Sequence, residues 1–304
     1  TNAYATLCSL SSTGGSPNMS LAVRSSATAE DLPDCSFAGQ HDSYLNIYGA
    51  NQLFIATLNV IASLFNARAI VYRVENGFDH FRVLISVGFM KMIRSDLSSS
   101  GIAFSCDVNS TFTDIVTITS AYGLGESIVQ GSVIPDKFLV FKPTLKEGHR
   151  VVLHHSLGSK ATLMCYDNQH IQNESKDELV YFKDTLLEVA TPLMKQQQYS
   201  LNDTEIVLLA DYCIDLEAEF NCAVDVEFAK DGLDNQLYIL QCRPETAMST
   251  RKKNSAYPIY HINPSPENIK IHMSGGLAIG DGIGCGSLVV LKEQVPFSCT
   301  EVPE

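Results

Sequence analysis

Positive charge is scarce in this sequence: its 304 residues carry 21 Lys+Arg against 34 Asp+Glu, a net of 21 − 34 = −13. An acidic chain is a poor match for nucleic acid or an anionic membrane, whose phosphates require a basic face. A small anionic ligand is not excluded, since a few local Arg or Lys suffice for it. CxxC spacing is absent, and the nine cysteines, at 8, 35, 106, 165, 213, 222, 242, 285 and 299, are odd in number. Reduced thiols in a reducing compartment are therefore expected, rather than a disulfide framework or a zinc site. None of the eight histidines has a partner at metal spacing, and His154 and His155, being adjacent, would point to opposite faces of a strand. The first residues lack the basic segment and apolar run of a secretory leader. Long apolar runs are missing as well. The longest uncharged stretch, 43–67, is interrupted by Asn51, Gln52, Asn59 and Asn66. It reads as a buried helix with Phe54, Leu58, Ile61 and Phe65 on its core side rather than as a membrane span. A soluble, cytoplasmic protein with neither nucleic acid nor membrane as partner is the expectation.

What is present is a balance of 45% hydrophobic and 18% charged residues, which builds a globular core rather than a disordered chain. Residues 1–19 are rich in Ser, Thr and Gly and read as a tail. Strands are predicted at 21–24, 83–88, 101–106, 115–120 and 138–142, and helices at 52–76 and 203–220. In the second helix Ile206, Leu209, Ala210, Cys213, Leu216 and Phe220 share a stripe, and Asn202 with Glu205 forms a capping signal. Strands and helices without regular alternation indicate an α+β fold. The composition turns basic and then proline-rich at 249–268, an interdomain linker, and the 269–304 remainder reads as the incomplete start of a second domain.

Three segments could carry chemistry. In LAVRSSATAEDLPDCSFAGQHDSY, 21–44, a strand delivers Arg24 into a loop of small residues whose N–H groups, with the Arg fork, could hold phosphate. The alternative is a solvated surface loop. In VDVEFAKDGLDNQLYILQCRPET, 224–246, two strands flank a turn. A five-residue loop at 231–235 would set Glu227 opposite Ile239 with Gln241 as its diagonal neighbour, and alternation would place Leu237, Ile239, Gln241 and Arg243 on one face. A carboxylate, an amide oxygen and a guanidinium would then share one ligand, the oxygens suiting Mg²⁺ and the arginine phosphate. An edge hairpin with ordinary polar residues is the competing reading. In SAYGLGESIVQGSVIPDKF, 120–138, the glycines read as a tight strand-to-helix turn rather than a phosphate cradle.

Taken with KMIRSDLSSSGIAFS, YGLGESIVQGSVIPDKFLVFKPTL and LGSK, these segments resemble the ATP-binding domain of the phosphoenolpyruvate synthase (pyruvate, water dikinase) family over about residues 20–248. That resemblance implies an ATP-grasp nucleotide-binding domain at 20–248, incomplete in its first subdomain, then the truncated start of a swivelling phosphohistidine domain at 269–304. It implies a phosphotransferase converting ATP, pyruvate and water to AMP, phosphoenolpyruvate and phosphate through a phosphohistidine absent from this chain, which alone would be inactive. Carried over by position, Arg24 contacts phosphate, Gly39 and Ser43 lie in the loop over ATP, Glu227 and Gln241 bind Mg²⁺ and nucleotide, and Arg243 is the catalytic arginine on the transferring phosphates. Pyruvate would be met only through missing domains.

The sequence departs from the family's pattern in two further ways. Met90 stands where relatives carry a glutamine, and a thioether cannot replace an amide's donors and acceptor. The Gly-Gly-Lys-Gly segment has no counterpart before Leu21. These favour an alternative, a non-catalytic nucleotide-binding or interaction protein derived from the same enzymes.

Overall fold

A computed structural model describes Tyr4, Thr6 and residues 19–28, 39–108, 110, 112–147, 149, 152–166 and 186–245. The proposed linker and second-domain start lie outside these residues, as does most of 1–19. The described residues form an α+β arrangement of antiparallel sheets.

β1 (Leu21–Ala27) is the middle of a three-stranded sheet in the order β2-β1-β3, with β2 at Tyr44–Ile47 and β3 at Ile85–Lys91. Val23 and Ile47 are buried beneath α1 (Gly49–Ala62), which contributes Ala56 and Val60 to the same cluster. The small Ala56 and β-branched Val60 let the helix approach the strands closely, with Leu53 flanking them. This reverses the predicted orientation: Phe54, Leu58, Ile61 and Phe65 lie on the outer side, 65%, 50%, 43% and 55% exposed. The segment carries two apolar faces, and periodicity cannot tell which one meets the sheet. Nor is 52–76 one helix. A 3₁₀ turn at Ser63–Phe65 and extended backbone at Asn66 (ψ 147°) separate α1 from α2 (Ala67–Glu75). Taken together, Gly49–Glu75 is the one stretch among the described residues long and apolar enough to cross a membrane by length and composition (mean hydropathy 1.6). A helix that packs one face on a core sheet passes the same test.

The larger sheet has six strands in the order β11-β10-β4-β5-β6-β7. Its members are β4 (Ser99–Phe104), β5 (Ile115–Tyr122), β6 (Asp136–Phe141), β7 (Val152–Ser156), β10 (Val224–Lys230) and β11 (Leu237–Pro244). The chain leaves β5 through a short helix, α3 (Glu126–Val129), and follows β6 with another, α4 (Lys142–Lys146). A separate hairpin pairs β8 (Thr162–Tyr166) with β9 (Leu186–Ala190), followed by the short α5 (Leu193–Gln196).

The long helix α6 (Asp203–Phe220) covers the six-stranded sheet. Ile206, Leu209, Ala210 and Cys213 are buried against Ala103, Val116, Ile118, Phe138, Val224, Val226 and Phe228. Leu216 packs at the margin, whereas Phe220, expected in the stripe, is 43% exposed at the helix end. The capping signal forms in full: the Asn202 side chain accepts from the Glu205 N–H at 3.0 Å, and the Glu205 carboxylate accepts from the Asn202 N–H at 2.9 Å. Asn202→Ala should therefore cost about 1 kcal/mol in urea unfolding. An unchanged midpoint would mean that the cap is dispensable once the helix is packed.

Candidate functional site

Arg24 lies in the middle of β1, paired with Gly88 of β3, and not in a loop after the strand. The strand continues to Ala27 because Ser25 and Ser26 pair with Val87 and Ser86. From this position the guanidinium crosses to the edge hairpin of the six-stranded sheet. Nη2 donates to Glu227 Oε2 at 3.2 Å and to Gln241 Oε1 at 2.6 Å, and Nη1 reaches the carbonyl of Leu240 at 3.5 Å. The Arg24 and Glu227 side chains are about one quarter and one third exposed, so the cluster is open to water.

The hairpin register that builds this cluster differs from the predicted one. The strands close with Lys230 opposite Leu237, so the turn holds six residues, and Asp231 N–H donates to the Gln236 carbonyl. Farther along, Phe228 pairs with Ile239 but Glu227 pairs with Gln241, leaving Leu240 as a β-bulge. Glu227 and Gln241 are thus direct cross-strand neighbours, not diagonal ones. Leu237 and Ile239, expected beside Gln241, pack instead against the core under α6 together with Cys242. The bulge reverses the side-chain alternation within β11 and exposes the carbonyl that Arg24 meets.

Arg243 pairs with Asp225 in regular register two residues from Glu227 and Gln241, which puts all four on one face of the hairpin. Asp225 and the Leu240 carbonyl were given no role by sequence reasoning. Alternation marks Asp225 as a face-sharing carboxylate, but nothing in the sequence signals the bulge. Between Gln241 and Arg243, burial and then the Asp225 carboxylate push the Cys242 thiol above its ordinary value, so it stays protonated. Burial pushes the Cys213 thiol beneath it up to about 12. These are packing groups, not nucleophiles.

Gly39 and Ser43 stand apart. Both are exposed, Gly39 has a positive φ of 71°, and among the described residues no hydrogen bond joins either to the Arg24 cluster. The residues between Arg24's strand and Gly39, 29–38, lie outside the described set. Met90 pairs with Ala22 and joins an apolar cluster with Met92, Leu124, Met164 and Tyr166. Of the glycines in 120–138, Gly123 serves a close backbone turn: it has φ +88°, and a Cβ there would stand 2.5 Å from the Met164 carbonyl oxygen. LGSK is structural too, with Lys160 fully buried on Asp136 at 2.5 Å.

The cluster combines fixed positive charge with oxygen acceptors. Two side-chain oxygens converge on one positively charged nitrogen, and a second arginine occupies the same hairpin face. Among the described residues no group of three or more His, Cys, Asp or Glu could hold a metal ion, so any cation would take the rest of its shell from ligand or water.

Residues 1–263 match the family described as pyruvate phosphate dikinase, AMP/ATP-binding domain. The chain is 44% identical over 292 residues to a phosphoenolpyruvate synthase of Aquifex aeolicus, covering 93% of this chain and 32% of that protein. It is 42% identical over 287 residues to the enzyme of Neisseria meningitidis (94% and 34%) and 41% identical over 276 residues to that of Escherichia coli (91% and 33%). The chain thus spans about a third of the length of these relatives. A match running through β1, the six-stranded sheet and the edge hairpin places this chain in the pyruvate phosphate dikinase AMP/ATP-binding domain family.

Proposed function

We propose that the chain is the ATP-binding, phosphoryl-donating part of a pyruvate, water dikinase built on an ATP-grasp fold. ATP lies between the three-stranded sheet and the edge hairpin. The observation that carries the reading is the convergence of Arg24 with Glu227 and Gln241 from opposite sheets.

In this reading Arg24 and Arg243 hold phosphate oxygens, and Arg243 neutralises charge on the group being transferred. Gly39 and Ser43 belong to the loop that closes over the nucleotide. Glu227 and Gln241 would hold Mg²⁺: their oxygens already meet at one cationic point, and two oxygen donors leave coordination sites for phosphates and water. Bound there, the ion would neutralise the polyphosphate and hold it in line for displacement. The whole enzyme would take ATP, pyruvate and water to AMP, phosphoenolpyruvate and phosphate, through a phosphohistidine and a pyruvate site outside these residues. A second reading, a non-catalytic nucleotide-binding or interaction protein, is supported by Met90, whose side chain belongs to an apolar cluster at the position where the family resemblance implies an amide.

Calorimetric titration with Mg-ATP tests the site. Glu227→Ala should weaken binding about ten- to a hundredfold, the range for losing a charged hydrogen-bonding partner. Equal affinity in the two proteins would remove Glu227 from the site.

A further inference from the structure

Arg24 and a metal ion lay claim to the same lone pairs. Glu227 Oε2 and Gln241 Oε1 both accept from a single nitrogen, Arg24 Nη2, at 3.2 and 2.6 Å. A divalent ion held by the lone pairs that Arg24 occupies would sit about 2.1 Å from each oxygen, inside the contact radius of Nη2, so the two cations cannot share that position. Like charge adds repulsion to the overlap.

We infer that Arg24 is a built-in counter-cation that fills the metal position until a nucleotide draws it away. This rests on the reading of the site given above. The guanidinium has somewhere to go. The residue opposite Arg24 in β3 is Gly88, so no cross-strand side chain flanks it on that partner, and the Arg24 side chain is partly exposed. The backbone of Arg24 is held on both sides of its own position in the β1–β3 ladder, from Leu21 through Ala27, so only the side chain moves. A polyphosphate gives the guanidinium an anionic partner and gives the ion additional oxygens at the same moment. Metal and nucleotide therefore bind with positive coupling, and by linkage each raises the affinity for the other. Without nucleotide, Arg24 neutralises the carboxylate, occupies the amide oxygen and keeps the metal out.

The test uses the whole chain, with Mn²⁺ alone followed by electron paramagnetic resonance and adenylyl imidodiphosphate binding followed by calorimetry. Arg24→Met should tighten nucleotide-free Mn²⁺ binding by about tenfold or more while weakening the nucleotide by about tenfold, since one charged hydrogen-bond partner is lost on each account. Arg24→Lys, which keeps a charge but reaches fewer oxygens, should move both affinities in the same directions by about threefold. Circular dichroism verifies folding, and the lysine variant decides if the methionine variant is unfolded. A guanidinium that only fixes structure would weaken both ligands or neither. Mn²⁺ affinity that is unchanged or lower in the folded variant overturns the inference while leaving the ATP-site reading in place. Failure of the wild-type chain to bind nucleotide in the presence of metal would instead overturn the ATP site itself.

Discussion

Lys160→Met should lower the thermal midpoint by about 6–12 °C, from the loss of about 3 kcal/mol. Lys160 and Asp136 are both fully buried, and the ammonium donates to Asp136 Oδ1 at 2.5 Å and to the Gly158 carbonyl at 2.9 Å. Removing one member of such a pair leaves the other as an uncompensated charge, which commonly costs about 3–5 kcal/mol. The lower end applies because Asp136 keeps three donors: the Gly158 N–H at 2.9 Å, and the Ser200 N–H and hydroxyl at 2.8 Å each. Pairing Lys160→Met with Asp136→Asn should recover part of the loss, since the stranded charge goes with it. Scanning calorimetry of the two single variants and the double variant measures this. Additive losses would mean that the two charges act independently, against the geometry.

The pair also explains why LGSK reads as a motif without carrying chemistry. Asp136 opens β6, Ser200 precedes α6, and the 157–161 segment is drawn between them. A Cβ at Gly158 would stand 2.3 Å from the carbonyl oxygens of Ile134 and Pro135, so only glycine lets the chain pass. Lys160 then closes the junction from inside. The sheet and its covering helix are locked together at the end of β6, while the hairpin that carries Glu227 and Gln241 hangs from the opposite edge.

How much of this could be read from the sequence depends on which physical rule governed each element. Helix α6 was legible from Asn202 to Phe220 because its cap is local and its stripe meets one sheet. The 49–75 segment was not, since both of its faces are apolar and only tertiary contact selects Ala56 and Val60 over Phe54 and Leu58. The hairpin is the most instructive case. A six-residue turn in place of five shifts the register by one residue, and the Leu240 bulge shifts it by one more. The two shifts restore the parity beyond the bulge, so Gln241 and Arg243 share the Glu227 face as alternation requires. Between turn and bulge the parity is reversed, and Leu237 and Ile239 join the core. Neither shift has a sequence signature. The link from Arg24 to that face joins residues 203 and 217 positions apart, a separation that no local pattern encodes.

Gly101→Ala should cost about 3 kcal/mol and weaken Mg-ATP binding as well, although Gly101 touches no ligand in the proposed site. Sequence reading placed Gly101 at the start of a strand, but β4 begins at Ser99 and the glycine sits inside it, opposite Phe228 and Ser120. A Cβ there would stand 2.1 Å from the Thr119 carbonyl oxygen and 2.5 Å from the Phe228 ring. The first contact is backbone within a ladder and cannot yield cheaply, which puts the cost at the upper end of about 1–3 kcal/mol for overpacking. The second reaches the site. Phe228 is buried and follows Glu227 at the point where the β10–β11 register breaks, so displacing its ring moves the strand that aims the carboxylate. Phe228→Leu, added to Gly101→Ala, should relieve the ring contact and restore part of the nucleotide affinity while leaving the backbone clash. Urea unfolding and Mg-ATP calorimetry on the same variants separate the two effects. Lost stability with unaltered affinity would show that the bulge aims Glu227 without help from the glycine beneath Phe228.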